Sequence, residues 1–115
     1  MKVLVCGSRY WNNKESIFER LKLLPKDTTI IHGCANGADK LAGIVAKELG
    51  FIVVEVPAEW KKCGKRAGIL RNLKMLDLKP DLVLAFHSNL SGSKGTSHTL
   101  REANKRNILA RLYTE

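Results

Sequence analysis

The chain has 115 residues, of which 44% are hydrophobic and 27% are charged, a balance that is typical of folded proteins and argues against disorder. Its apolar runs are far shorter than the roughly 20 residues that a membrane span needs, and its first residues lack the pattern of a signal peptide. We therefore expect a cytoplasmic protein with one domain, 1–115, and no membrane partner.

The cysteine content indicates the type of cellular compartment, and the charge distribution indicates the class of binding partner. Three cysteines without CxxC spacing suit a reducing compartment. The net charge of +9 is uneven, since residues 1–60 carry 8 Lys and Arg against 7 Asp and Glu, whereas residues 61–115 carry 12 against 4. This excess favours an anionic partner, either a phosphorylated small molecule or nucleic acid, although a well-solvated basic surface explains the charge equally well.

Apolar runs alternate with amphipathic segments along the chain, which predicts strands alternating with helices. Asn12 and Asn13 are the expected cap of the first helix, and Gly50 is expected to end the second. The predicted strands lie at 3–6, 29–31, 51–56, 82–86 and 108–113. The predicted helices lie at 14–24, 36–49, 65–78 and 96–106.

Strand position and helix orientation follow from the same patterns. Residues 51–56 are nearly all apolar, which predicts a central strand, and the last strand is expected at an edge. Right-handed crossovers then give an α/β fold, an open parallel sheet of about five strands with helices on both faces. The helical residues expected to face the core are Ile17, Leu21 and Leu24, then Leu41, Ile44, Val45 and Leu49, then Ile69, Leu73 and Leu76.

The connections that leave the carboxyl ends of the strands differ from those that enter the strands. The exit connections read CGSRYWNN, HGCANGAD, PAEWKKCGKR and HSNLSGSKGT, and they hold six of the nine glycines. Ligands bind open parallel sheets at this edge, where glycines let the backbone approach and helix N-termini favour anions. The loops contain neither GxGxxG nor a Walker A motif, but their convergence predicts an anionic ligand, with a nucleotide favoured.

Several of these stretches resemble the YspA-like branch of the SLOG superfamily, some of whose members are phage-encoded. The resemblance covers nearly the whole chain and implies a Rossmann-like fold that binds nucleotides or nucleotide-derived ligands. Wider relatives include cytokinin-activating phosphoribohydrolases and the DNA-processing protein that loads recombinase onto single strands. The similar stretches are GSR at 7–9, HGCANGADKLA at 32–42, PAEWKKCGKRAGILRNLKML at 57–76, PDLVLAF at 80–86 and GSKGT at 92–96.

Two positions depart from the family pattern. The usual Pro-Gly-Gly approach to the last loop is replaced by the longer and more polar segment 87–91. The phosphoribohydrolases carry a catalytic Glu shortly after the Gly-Thr of this loop, whereas Ser97, His98 and Thr99 follow here. The resemblance therefore does not extend to the phosphoribohydrolase mechanism.

The strand-end loops and the resemblance together mark fourteen candidate ligand contacts. Arg9 and Ser8 would bind a phosphate, with an ordinary surface arginine as the alternative. Asp39 would accept ribose hydroxyls, or it forms a capping box with Asn36. Trp60 would stack on a base, or it packs as a lid or at a subunit contact. The fourteen residues are Gly7, Ser8, Arg9, Gly33, Gly37, Ala38, Asp39, Trp60, Lys65, Asn72, Gly92, Lys94, Gly95 and Thr96.

The third helix and the last loop supply the remaining candidates. Lys65 lies in a first helical turn, where a cation is unfavourable unless an anion binds nearby. Asn72 borders the predicted apolar stripe and would reach the crevice, whereas Arg71 is expected to point away, into solvent or an oligomer interface. Residues 92–96 would hold a second anionic group, although Thr96 also fits a simple N-cap.

The sequence thus predicts a protein that binds a nucleotide or nucleotide-derived small molecule, as a sensor or sequestering protein, with hydrolysis left open and no catalytic residue assigned. A single-stranded nucleic-acid-binding module is the main alternative, and a hydrolase with His98 or Asp39 as base is a third. The cysteine and histidine spacing matches no metal site, so neither metal nor cofactor is expected. Because so small a chain leaves an open cleft and relatives often pair, we expect a homo-oligomer.

Overall fold

Five apolar runs form a single parallel sheet in the computed structural model, which describes residues 1–115. Helices connect the strands, and short 3-10 segments lie at Gly64–Arg66 and Leu90–Gly92. The strands are β1 (Lys2–Gly7), β2 (Thr29–His32), β3 (Ile52–Glu55), β4 (Leu82–Phe86) and β5 (Leu109–Tyr113). The helices are α1 (Lys14–Leu21), α2 (Ala38–Glu48), α3 (Trp60–Cys63), α4 (Ala67–Asp77) and α5 (Gly95–Lys105).

The strand order is β3-β2-β1-β4-β5, with every neighbouring pair parallel. The chain runs outward from β1 to β3 and then crosses back to β4, so its direction of winding changes between β1 and β4. Their register ends with Gly7 opposite Phe86, so the two strands finish level. A crevice between diverging loops forms at such a switch point.

Successive side chains of the sheet divide between two cores, one on each face. Val5 and Phe86 pack with α1 and α2 in the first core, and Leu4 and Val83 pack with α4 and α5 in the second. The predicted α/β class, with a Rossmann-like parallel sheet covered by helices on both faces, is therefore confirmed. No helix combines the length and the apolar character that crossing a membrane would require.

The predicted central position of the third strand is wrong. β3 is an edge strand that pairs only with β2, and its Ile52 is 66% exposed. Its flanking residues Phe51 and Val56 are buried in the two cores, which explains the apolar sequence without a second neighbouring strand. The opposite edge is β5, as expected.

In two helices, one residue of the predicted inward face is exposed, although Val45 and Leu76 are buried as predicted. In α2, Ile44 is exposed because small residues at 42, 43 and 46 occupy the buried side. The third predicted helix, 65–78, begins in the 3-10 segment Gly64–Arg66 and continues as α4, in which Ile69 is 49% exposed. The buried side of α4 consists of Ala67, Asn72, Met75 and Leu76.

Candidate functional site

A cavity of about 650 Å³ lies at the carboxyl ends of β1 and β4, within the range of small-molecule sites. The loops after β1, β2 and β4 form it together with the middle of α4 and the start of α5. It is lined by Cys6, Gly7, Ser8, Arg9, Tyr10, Ala35, Asp39, Arg71, Asn72, Met75, His87, Ser88, Asn89, Gly92, Ser93, Lys94, Gly95, Thr96 and Thr99.

The loop after β1 is fixed by backbone hydrogen bonds to its neighbours. The amide of Ser8 donates to the carbonyl oxygen of Phe86 at 2.8 Å, and the Ser8 carbonyl oxygen accepts from Ala38 at 3.0 Å and from Trp11 at 3.2 Å. A Cβ at Gly7 would clash with the Phe86 carbonyl group and with the Ala38 side chain. The glycine is therefore needed for close approach of β1, β4 and α2, which together place Arg9 at the cavity.

The loop after β2 is shaped by side chains of the protein itself. One carboxylate oxygen of Asp39 accepts from the amides of Gly33 at 2.9 Å and Ala35 at 3.3 Å. His32 Nδ1 accepts from the amide of Cys34 at 3.0 Å, and Cys34 has φ +64, which favours glycine. Asp39 thus holds this loop closed through one oxygen, and it does not form the capping box.

Arg71 lies on the cavity, so the prediction that it points away was wrong. Its guanidinium donates through Nη1 to the Gly33 carbonyl oxygen and through Nε to Asn72 Oδ1 at 2.9 Å. Asn72 Nδ2 in turn donates to the Gly95 carbonyl oxygen at 3.4 Å. The cause is the phase of α4: Met75, one turn after Arg71, also lines the cavity, whereas Ile69 of the predicted stripe is exposed.

The loop before α5 presents free amides beside a cation. Thr96 is inside the helix, and its amide donates to Ser93 Oγ at 3.0 Å, so Ser93 rather than Thr96 acts as the cap. The amides of Gly95 and Ser97 donate no hydrogen bond within the protein, as expected for a first helical turn. With exposed Lys94 next to them, these groups suit an anionic oxygen.

The electrostatics of the cavity favour an anion. Three cationic side chains, Arg9, Arg71 and Lys94, line it against one carboxyl group, Asp39. Burial raises the pKa of Asp39 to about 6, an effect that Arg71 and the two amide hydrogen bonds partly offset. Burial likewise raises the pKa of the Cys6 thiol at the cavity floor, which keeps it neutral.

Nine of the fourteen predicted contacts line the cavity, and their binding of a ligand stays a prediction. Gly33, Gly37 and Ala38 do not line it, because they lie beneath the loops, where Gly33 contacts Arg71 and Gly37 contacts the Arg9 backbone. Trp60 and Lys65 are exposed on α3 and the following turn. The nine that line the cavity are Gly7, Ser8, Arg9, Asp39, Asn72, Gly92, Lys94, Gly95 and Thr96.

Ten residues that line the cavity were not predicted from the sequence, although sequence features near some of them could have indicated the site. Tyr10 directly follows the GSR motif, and 87–89 belong to the polar segment that departs from the family pattern. Arg71 lies in the stretch 57–76 that resembles the family, but only the packed phase of α4 turns it inward. His98, the alternative catalytic base, does not line the cavity. No group of three or more His, Cys, Asp and Glu side chains is placed to hold a metal ion.

Replacing Asp39 by Asn is expected to flatten the pH dependence of stability. The folded-state pKa of about 6 exceeds the ordinary 3.8, so the stability that protonated Asp39 contributes is present below pH 4 and is lost as the pH rises through 6. The loss is about 3 kcal/mol at 1.36 kcal/mol per pKa unit. Because both amides donate to one oxygen, Asn can retain both hydrogen bonds.

Urea denaturation of Asp39→Asn and the native protein between pH 4 and pH 7 measures this effect. The free energy of unfolding of the variant should gain about 3 kcal/mol relative to the native protein across that range. Parallel pH profiles would show that Asp39 titrates normally in the folded state.

Comparison with known proteins shows which family the chain resembles. The model of the YAcAr family, described as the YspA, cpYpsA-related SLOG family, matches residues 1–63. The Gene 61 protein of Mycobacterium phage D29 is 37% identical over 116 residues, covering 93% of this chain and 91% of that protein. An uncharacterized ABC transporter substrate-binding lipoprotein, YvrC, from Bacillus subtilis (strain 168) is 33% identical over 84 residues, which cover 72% of this chain but only 24% of the lipoprotein.

A solved structure shares the fold. The X-ray structure of DNA processing protein A (DprA) from Streptococcus pneumoniae matches 99% of this chain with a TM-score of 0.63 and 18% identity. This chain spans 58% of the DprA chain. The family match over more than half of the chain and the phage relative confirm the resemblance noted in the sequence. The chain belongs to the YspA, cpYpsA-related SLOG family.

Proposed function

We propose that this protein binds a nucleotide or a nucleotide-derived ligand in the cavity between the ends of β1 and β4, as a sensor or sequestering protein. The observation that carries the proposal is the convergence of Arg9, Arg71 and Lys94, from three separate loops and helices, on one cavity with a single carboxyl group. Such a site attracts phosphate, and its volume of about 650 Å³ also admits a sugar and a base.

The phosphate is expected where the three cations meet the amides of α5. The guanidinium of Arg71 is oriented by Gly33 and Asn72, so little rotational freedom is lost when it binds an anion. Arg9 and Lys94 are exposed and can close over the ligand. The free amides at the start of α5 add hydrogen bonds that favour an anionic oxygen.

Two polar side chains of the cavity are already engaged in hydrogen bonds within the protein, which favours binding over hydrolysis. Asp39 uses one oxygen to hold two loop amides, which leaves it poorly suited to act as a base. Thr99, which lines the cavity, donates to the Gly95 carbonyl oxygen at 3.2 Å. Prolonged incubation with nucleotides, followed by chromatography, tests this preference. Hydrolysis products that form with the native protein but not with Asp39→Asn would reverse it.

Mass spectrometry of small molecules released from the denatured protein tests the proposal first. The purified protein should release a stoichiometric nucleotide species, or bind one member of a panel of adenine and guanine mono-, di- and triphosphates in calorimetry. No released nucleotide together with no saturable binding up to about 1 mM, which corresponds to only about 4 kcal/mol of binding free energy, would reject it.

Arg9→Ala is expected to weaken binding of the tightest nucleotide by about tenfold, the loss of about 1.4 kcal/mol. Arg101→Ala is the matched control, because Arg101 is exposed on α5 and does not line the cavity. Calorimetry at one ionic strength compares the two variants. Equal affinities would mean that Arg9 does not contact the ligand.

A second candidate, binding of single-stranded nucleic acid, is favoured by the basic segment 60–66. Trp60 is 60% exposed, and Lys61, Lys62, Lys65 and Arg66 beside it are all exposed. An aromatic ring among cations suits sequence-tolerant binding of bases and phosphates. Fluorescence anisotropy of a labelled single-stranded oligonucleotide at two salt concentrations distinguishes the candidates, because this binding falls steeply with salt.

The proposal also includes self-association and a cytoplasmic location. Ile44 on α2 and Ile52 on the edge strand β3 are exposed apolar side chains that a second copy could cover. Light scattering of the purified protein tests this, and a monomeric mass at high protein concentration would reject it. The three cysteines are free thiols, as suits a reducing compartment.

A further inference from the structure

A smaller cavity of about 240 Å³ adjoins the main one. The two cavities share three lining residues, Ser8, Tyr10 and Ser88, so a ligand can extend from one into the other past the Tyr10 side chain. Asn12 and Asn13 also line the smaller cavity.

The two cavities differ in charge. All three cationic side chains line the main cavity and none lines the smaller one. The smaller cavity has neutral amides and the carboxylate of Glu115, which would repel a phosphate. The side chain of Asn13 caps α1 by accepting from Ser16 at 3.1 Å, whereas the exposed Asn12 side chain makes no hydrogen bond within the protein and is free for the polar edge of a base.

Tyr10 stands at the border between them with its ring in solvent. It is 83% exposed, more than any other large hydrophobic residue, whereas the neighbouring Trp11 is buried. A tyrosine ring offers an apolar face on which any base can stack. Trp60, the residue that the sequence favoured for this role, lines neither cavity.

The backbone of Tyr10 is held in place on both sides. Its amide donates to Ser8 Oγ at 3.0 Å, and the amide of Trp11 donates to the Ser8 carbonyl oxygen at 3.2 Å, which closes a tight turn around Tyr10. Trp11 packs edge-on against Phe86, with 5.6 Å between ring centroids. The ring is thus mounted on a rigid turn, so stacking orders only the side chain itself.

We propose that Tyr10 is the base-stacking residue of this site: the phosphate binds in the main cavity, and the base lies on the Tyr10 ring toward the smaller cavity. This inference rests on the proposed function. It makes the ligand a nucleotide with an intact base, since a sugar phosphate alone would leave the Tyr10 ring in water.

Calorimetry with the 5′-monophosphates of adenosine, guanosine, cytidine and uridine, and with ribose 5-phosphate, tests the inference. At least one nucleotide should bind the native protein about 5- to 150-fold more tightly than ribose 5-phosphate, the range that base–aromatic stacking contributes. Tyr10→Ala should remove this difference and leave the affinity for ribose 5-phosphate unchanged, and Tyr10→Phe should retain it. Trp60→Ala is the matched control, an exposed aromatic residue at the same sheet edge.

Two other outcomes have distinct meanings. If Tyr10→Ala leaves nucleotide affinity unchanged, or weakens ribose 5-phosphate equally, Tyr10 is not the stacking residue, although the phosphate site stands. If the native protein binds neither these ligands nor any of the nucleoside di- and triphosphates, the proposed function fails and this inference fails with it. Because Tyr10 is exposed, thermal melting should be the same for all four proteins, which separates lost contacts from lost folding.

Discussion

Replacing Gly37 by alanine is expected to destabilise the folded protein by about 2–5 kcal/mol, as the sum of backbone strain and a steric clash. Gly37 has φ +76 and ψ −126, a conformation that L side chains rarely adopt. A Cβ there would also clash with the carbonyl oxygen of Ser8 and the backbone of Arg9. Since small domains have only about 5–15 kcal/mol of stability, a substantial unfolded population should result.

Gly50→Ala separates the two contributions. Gly50 follows α2 with φ +81, and a Cβ there would meet nothing within 4 Å, so the variant carries strain without a clash. It should lose only about 1–2 kcal/mol, the cost of a left-handed residue with a Cβ. Urea denaturation of both variants measures the difference. Equal losses would show that the packing of the β1 loop on the start of α2 adds nothing to stability.

Replacing Arg71 by methionine is expected to weaken binding of the tightest nucleotide by roughly 10- to 150-fold, because a hydrogen bond to a charged group contributes about 1.5–3 kcal/mol. The variant removes the cation that α4 places on the cavity. It also removes the donor to the buried Gly33 carbonyl oxygen, which loosens the loop after β2. Since Arg71 lowers the pKa of Asp39, that pKa should rise further above 6.

Arg71→Lys and Arg101→Met are the controls for this variant. Lysine keeps the charge but cannot donate to Gly33 and Asn72 in the same planar geometry, so an intermediate loss is expected. Arg101→Met makes the same chemical change at an exposed position outside the cavity and should bind as the native protein does. Calorimetry at pH 7, with urea denaturation to verify folding, compares them. Native affinity in Arg71→Met would assign recognition of the anion to Arg9 and Lys94 alone.

The sheet edge that carries the cavity could be predicted because its signals are local. Glycines and polar residues follow β1, β2 and β4 in the sequence, and parallel strands bring their carboxyl ends to one edge whatever their order. Arg9 and Lys94 lie in these loops and were therefore predicted before the fold was known, whereas Asn72 was predicted from its position beside the apolar stripe of its helix. The glycine at 37 was recognised too, although it packs against Ser8 and does not line the cavity.

The residues that the sequence misplaced depend on long-range packing. The apolar residues of α4 are compatible with two overlapping buried faces. If the face with Ile69 were buried, Arg71 would point into solvent; because the face with Met75 is buried instead, Arg71 lies on the cavity. Only contact with the second core selects the buried face. Asp39 matched a capping box locally, yet its carboxylate bonds to Gly33 and Ala35 instead, because the folded loop brings those amides to it.

The sequence by itself determined the alternation of strands and helices, the sheet edge that carries the cavity and the basic second half, since each depends on periodicity and composition within short segments. Only the tertiary structure decided the strand order, with β3 at an edge. It also decided the arrangement of Arg71, Asp39 and Tyr10 around one cavity. The physical reason is that apolar strands of similar pattern fit several neighbours. Choosing among those neighbours takes the packing energy of the whole sheet and both helix layers.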